Sequence, residues 1–295
     1  MTGKIALEEH FAIPETIADS TSYAAGTGWS TLEQRLLDRE RHRLSEMDTY
    51  GIELAILSLN SPGIQGIADP ARALDVARLA NDRLAESIAK RPDRFAGFGA
   101  LAMHDPDAAT AELTRCIRTL GFVGVMLNGF QETGSDARVI YYDDPAYAAF
   151  WARLEELGVP FYMHPREPLP SREPIYDGHP WLLGPVWAFA NETAIHALRL
   201  MCSGLFDRHP RLTMILGHLG EMIPYNAWRI DHRIAKMPKG IPARRTITEY
   251  LRSNVFLTTS GNFRTPTSAI ADEDRVKIGR ANAAALFKLS GAWSG

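Results

Sequence analysis

The chain has 295 residues, 45% hydrophobic, 23% charged and 9% aromatic, with a formal net charge of −3. That composition supports a large buried core and excludes wholesale disorder. No block of like charge offers a footprint for nucleic acid or an anionic membrane. Two cysteines, Cys116 and Cys202, are too few for a disulfide framework or a cysteine-rich zinc site. The first residues, MTGKIALEEHF, lack a charged-then-apolar leader pattern, and no run approaches the ~18 apolar residues of a membrane span. With no repeat or linker along it, the chain reads as a single cytoplasmic α/β domain over 1–295.

Short apolar runs alternate with helix-length amphipathic segments, which predicts a parallel sheet with crossover helices. Runs at 5–8 and 54–59 come first. Asp69-Pro70 then opens a helix, with proline pre-set for the first turn and Val76, Ala80, Leu84 and Ile88 along one face. After the run at 95–101, Asp105-Pro106 opens a second helix whose inward side is Leu113, Cys116, Ile117 and Leu120; Gly121 ends it. The run at 122–127 is followed by Asp144-Pro145, a third opening, with closure at Gly158. Runs at 159–163, 212–216 and 255–259 complete the strands, with a helix at 193–202 ending near Gly204 and a last one over 272–289. A closed (β/α)8 barrel needs eight strands and eight helices at roughly 30 residues per unit. The stretch 262–271 is too short for a helix and a strand. The expected fold is therefore a TIM-type (β/α)8 barrel lacking its eighth βα unit.

Glu8 and His10 lie two apart at the end of the first strand and so share a face. His164 ends the fifth run and His218 the sixth. The inward face at strand C-termini is where a barrel builds its active site. One carboxylate and three imidazoles converging there suit a divalent ion: Zn²⁺, Mn²⁺ or Mg²⁺. Taken singly, each histidine also reads as a hydrogen-bonded structural residue, and Glu8 as a solvated loop start. His42 falls in a charged helix, His104, His196, His209 and His232 read as structural or surface groups, and His179 lies in a long loop.

Longer motifs sharpen this. Leu7-Glu8-Glu9-His10-Phe11, Phe161-Tyr162-Met163-His164-Pro165-Arg166, Gly217-His218-Leu219-Gly220-Glu221, Trp228-Arg229-Ile230-Asp231-His232 and Thr259-Ser260-Gly261-Asn262-Phe263 together resemble the metal-dependent decarboxylases of the amidohydrolase superfamily. The resemblance implies a barrel that assembles as a homodimer or homotetramer and needs one divalent metal and no organic cofactor. It implies decarboxylation of a small aromatic acid, a hydroxybenzoate such as 2,6-dihydroxybenzoate. Glu8, His10, His164 and His218 would stand at the metal, and His218 would be catalytic with Glu221 as its hydrogen-bond partner. Tyr23, Asn128 and Arg229 would meet the substrate, although Arg229 reads equally as a salt-bridge partner of Glu221 or Asp231. The family's eighth strand ends in an aspartate that binds metal and is its expected proton donor. Here Thr265-Pro266-Thr267-Ser268 runs almost directly into Asp272-Glu273-Asp274, about thirty residues short of that pattern. Weak metal binding and slow turnover, or an inactive remnant, are the expected consequences. Hydrolysis by metal-activated water, which the same superfamily performs, is the alternative activity.

Overall fold

The computed structural model describes residues 3–21, 28–135, 138–262 and 271–289. Among these, seven parallel strands form one curled sheet: β1 (Lys4–Phe11), β2 (Ile52–Leu59), β3 (Phe95–Ala100), β4 (Gly124–Asn128), β7 (Phe161–His164), β8 (Met214–Leu216) and β9 (Val255–Leu257). They are hydrogen-bonded in chain order. Between β4 and β7 lies a small antiparallel hairpin, β5 (Gln131–Ser135) and β6 (Arg138–Ile140), which the apolar pattern does not announce.

Helices cover the outside. After α1 (Trp29–Leu37) and α2 (Arg41–Tyr50) in the first crossover come α3 (Pro70–Lys90), α4 (Pro106–Arg118), α5 (Ala148–Leu157), α6 (Ala188–Cys202), α7 (Leu205–Arg208), α8 (Ile223–Lys236) and α9 (Ile247–Ser253). The Asp-Pro openings act as expected. The Asp69 carboxylate accepts from the Arg72 amide, Asp105 from Asp107 and Asp144 from Ala146, each satisfying a first-turn N–H that has no partner inside its own helix. Gly158 ends α5 at φ 64°, a left-handed turn that glycine adopts without strain.

Alternation along the strands divides the core into two layers. Val125, Leu127, Phe161, Met163, Met214 and Leu216 face outward against the helices, where Phe150, Trp151 and Leu154 of α5 pack on them. Their even-phase neighbours, Phe98, Met126, Tyr162 and Ile215, join Ile5 and Ile56 inside the barrel. Phe287, at the end of the last helical segment (272–286), is buried in this inner layer.

Among the described residues the sheet does not close. No pairing joins β1 to β9 among the described residues. A cavity of about 460 Å³ runs between them, from Ile5 to Glu9 on one side and Phe256 to Ser260 on the other. This is where an eighth strand would sit, and the seven strands match the expectation of a missing unit.

Candidate metal centre

β1 delivers two groups to the mouth of the barrel, and plain alternation could not have done so. Ile5 is buried inside, and His10 faces the same interior five residues later, an odd spacing that strict period two would send to opposite faces. The pairing with β2 shows the remedy. Ala6 pairs with Ala55 and Glu9 with Leu57, three residues against two, so β1 carries one extra residue. Glu8 sits in this bulge at φ 67°, a left-handed conformation uncommon for a residue other than glycine.

The Glu8 side chain is only 5% exposed. Its Oε1 lies 3.3 Å from His164 Nε2 and 3.1 Å from His218 Nε2. His10 Nε2 is 3.0 Å from His164 Nε2. Ligand atoms of Glu8, His10 and His164 all fall within 4.8 Å of one another. Donors bound ~2.0–2.2 Å from one divalent ion stand ~3.0–3.5 Å apart, so this spacing is that of a coordination shell. The donor chemistry agrees. Burial and the charge of His164 lower His10 to about 3, against the pull of Glu8, which leaves its imidazole neutral with a lone pair to offer. Burial alone would raise Glu8, but hydrogen bonds from His164 and His218 outweigh it and hold the carboxyl well below the ordinary carboxylate range. Ser58 on β2, 3.1 Å from His10 Nδ1, orients that ring.

His218 and Glu221 come from an unusual turn. His218, Leu219, Gly220, Glu221 and Met222 all have positive φ, between 51° and 86°, and four of the five have side chains that disfavour it. The Leu219 amide donates to the Thr258 carbonyl and the Gly220 amide to that of Gly217, which pins the turn. It swings His218 Nδ1 to 2.6 Å from Glu221 Oε1 while Nε2 faces Glu8. Burial opposes charge on His218, yet its bonds to Glu221 and Glu8 raise it to about 10. Gly261 (φ 69°) flanks the ring: a Cβ there would come within 2.8 Å of its Cδ2.

The remaining candidates are spread more widely. Asn128 pairs with His164 across the sheet, and its Nδ2 donates to the carbonyls of Asn60 and Pro62, so it braces the loop after β2 beside the candidate ligands. Arg229 stands exposed on α8, in a cleft of about 450 Å³ with Leu198, Met222 and Ile230. It is not among the groups around Glu8 and makes no ion pair among the described residues; Asp231 instead accepts from the amides of Ile247 and Thr248. Tyr23 lies outside the described residues.

Sequence reasoning passed over Tyr162, whose hydroxyl donates to Glu8 Oε2. Burial and the Glu8 charge push its phenol well above the ordinary tyrosine range. The signal was present, since Tyr162 lies two residues before His164 and therefore on the same inward face.

A carboxylate and imidazoles converging at the C-terminal mouth of a parallel barrel define a metal-dependent barrel enzyme. The family model described as Amidohydrolase matches residues 42–239, and the chain belongs to that family. It is 54% identical to a gamma-resorcylate decarboxylase of Rhizobium sp., over 99% of this chain and 100% of that protein. That alignment spans 327 positions, so about thirty of the relative's residues have no counterpart here. Two crystal structures are similar at TM-score 0.94. One is 2,6-dihydroxybenzoate decarboxylase complexed with 2,6-dihydroxybenzoate (54% identity, covering 98% of this chain and 100% of that one). The other is a dihydroxybenzoic acid decarboxylase from Polaromonas sp. with bound manganese and 2-nitroresorcinol (51%, 99% and 98%).

Proposed function

We propose that the chain is a metal-dependent carboxy-lyase that converts 2,6-dihydroxybenzoate to resorcinol and CO₂, reversibly. The observation that carries this reading is that ligand atoms of Glu8, His10 and His164 lie within 4.8 Å of one another at the barrel mouth, with His218 Nε2 3.1 Å from Glu8 Oε1. Similarity to decarboxylases, one holding manganese, supports the choice of reaction. Glu8, His10 and His164 would hold Mn²⁺ or Zn²⁺, which when bound would orient the substrate's oxygens and offset their charge. His218 would carry a proton at Nε2, with Glu221 Oε1 2.6 Å from its Nδ1. That proton goes to the ring carbon bearing the carboxylate. The carbon–carbon bond then breaks, its electron pair restores the aromatic ring, and CO₂ leaves. Asn128 would help shape the pocket. Arg229, exposed on α8, would bind the substrate carboxylate only if another part of an assembly brings it to a barrel mouth.

Turnover is expected below the ordinary enzymatic range of about 1–10³ s⁻¹. The aspartate that the resemblance implies as proton donor has no counterpart between residues 262 and 271, which leaves His218 as the acid, and a cavity of about 460 Å³ lies beside Glu8. We read residues 1–295 as one cytoplasmic domain that forms a homodimer or homotetramer and serves aromatic-compound catabolism. Exposed aromatics on α8, Tyr225 (85%) and Trp228 (75%), support assembly. No helix is long and apolar enough to cross a membrane among the described residues. The test is a substrate panel with Mn²⁺-loaded protein. Resorcinol from 2,6-dihydroxybenzoate supports the reading; acid release from lactones without resorcinol would replace it with hydrolysis.

A further inference from the structure

Glu8 has two carboxylate oxygens with different surroundings. Oε1 faces His164 and His218. Oε2 turns back into the barrel, where it accepts from the Tyr162 hydroxyl. Tyr162 is fully buried in the inner layer, its ring packed edge-on against Phe98 at 6.0 Å between centroids. With its ring so confined, the hydroxyl has little freedom to leave Glu8.

The donor is itself anchored. Thr258 Oγ1 lies 3.1 Å from the Tyr162 oxygen, and the Ser260 amide donates to Thr258 Oγ1 at 3.4 Å. Because the phenol has one hydrogen and gives it to Glu8, the threonine hydroxyl donates to the phenol oxygen. A directed chain therefore runs from Ser260 through Thr258 and Tyr162 to Glu8. Thr258 is fixed by backbone bonds on both sides, its amide to Leu216 and its carbonyl from Leu219, both 2.9 Å. Gly217 keeps the path clear: a Cβ there would stand 2.8 Å from Glu8 Oε2 and 3.0 Å from the Tyr162 hydroxyl.

We propose that Tyr162, backed by Thr258, is a positioning residue for the metal centre: it holds Oε2 so that the bulged Glu8 presents Oε1 to the ion. This rests on the reading of Glu8, His10 and His164 as metal ligands. It adds that metal affinity depends on a buried hydroxyl that does not touch the metal. Loss of a hydrogen bond that orients a ligand costs on the order of 10–100-fold in metal affinity.

The experiment titrates Mn²⁺ into chelator-treated full-length protein and follows free Mn²⁺ by electron paramagnetic resonance, with a thermal melt of each metal-free sample. Tyr162→Phe is expected to weaken Mn²⁺ binding ~10–100-fold while the metal-free melt stays put, and its activity is expected to recover at saturating Mn²⁺. Thr258→Val, which keeps the phenol but loses its anchor, is expected to weaken binding less; it carries the test if Tyr162→Phe fails to fold. Unchanged Mn²⁺ affinity in a folded Tyr162→Phe, or in Thr258→Val where only that variant folds, overturns the proposal. A distinct result, no Mn²⁺ binding by the unaltered protein or binding indifferent to Glu8→Gln, overturns the metal centre itself.

Discussion

The wall formed by β4, β7 and β8 and the seam between β9 and β1 are built from similar residues but end up in opposite environments. On the wall, Val125, Leu127, Phe161 and Leu216 have no solvent exposure, because strands flank them and α5 and α6 lie over them. At the seam, Phe256 and Leu257 obey the same alternation, inward and outward, yet remain 40% and 44% exposed. Among the described residues, no strand pairs with β9 on its open side beside Phe256 and no helix follows β9 to cover Leu257, as an eighth βα unit would. Burial of a strand is thus a property of its neighbours as much as of its own apolar pattern.

The largest effect that would break this comparison is in the core. Trp151→Ala, on the helix α5 that covers the wall, should cost ~3–5 kcal/mol, whereas Phe256→Ala or Leu257→Ala should each cost less than ~1 kcal/mol, read from denaturant midpoints. Similar losses at both places would show that the seam is closed in solution.

A smaller effect concerns acid. Asp207 in α7 accepts from the Arg244 amide, the Arg245 guanidinium and the Tyr250 hydroxyl, tying α7 to α9 on the approach to β9. Slight burial opposes this, but those bonds lower its carboxyl below the ordinary aspartate value of 3.8. A depressed folded-state value contributes stability that is present above 3.8 and lost as pH falls through the lower folded value. Asp207→Asn should therefore destabilise by ~1 kcal/mol at neutral pH and flatten the stability curve below about pH 4. An unaltered acid profile would remove Asp207 from the forces that hold α9 and the seam strand β9 in place.

Much of the architecture is legible in the residues themselves. Seven apolar runs become the seven strands, each displaced by at most three residues at either end, and the Asp-Pro pairs open helices because their chemistry is local. The short stretch before Asp272 foretells the open seam. Glu8, His10 and His164 are legible because strand ends converge at a barrel mouth whatever their order in the chain. The geometry that aims them is harder to see. The bulge at Glu8 contains no glycine, and only the odd spacing between Ile5 and His10 betrays it. The left-handed turn at 218–222 has one glycine among five residues, and besides the local bond from Gly220 to Gly217 it is held by a tertiary bond from Leu219 to Thr258, which no local signal announces. Tyr162 reads as one more core aromatic until Glu8 is placed beside it.

The most direct measurement follows resorcinol formation from 2,6-dihydroxybenzoate by protein whose bound Mn²⁺ has been counted. The predicted result is stoichiometric Mn²⁺ and chelator-sensitive release of resorcinol, slower than about 1 s⁻¹. Stoichiometric Mn²⁺ with no resorcinol would contradict the reading of this chain as a decarboxylase.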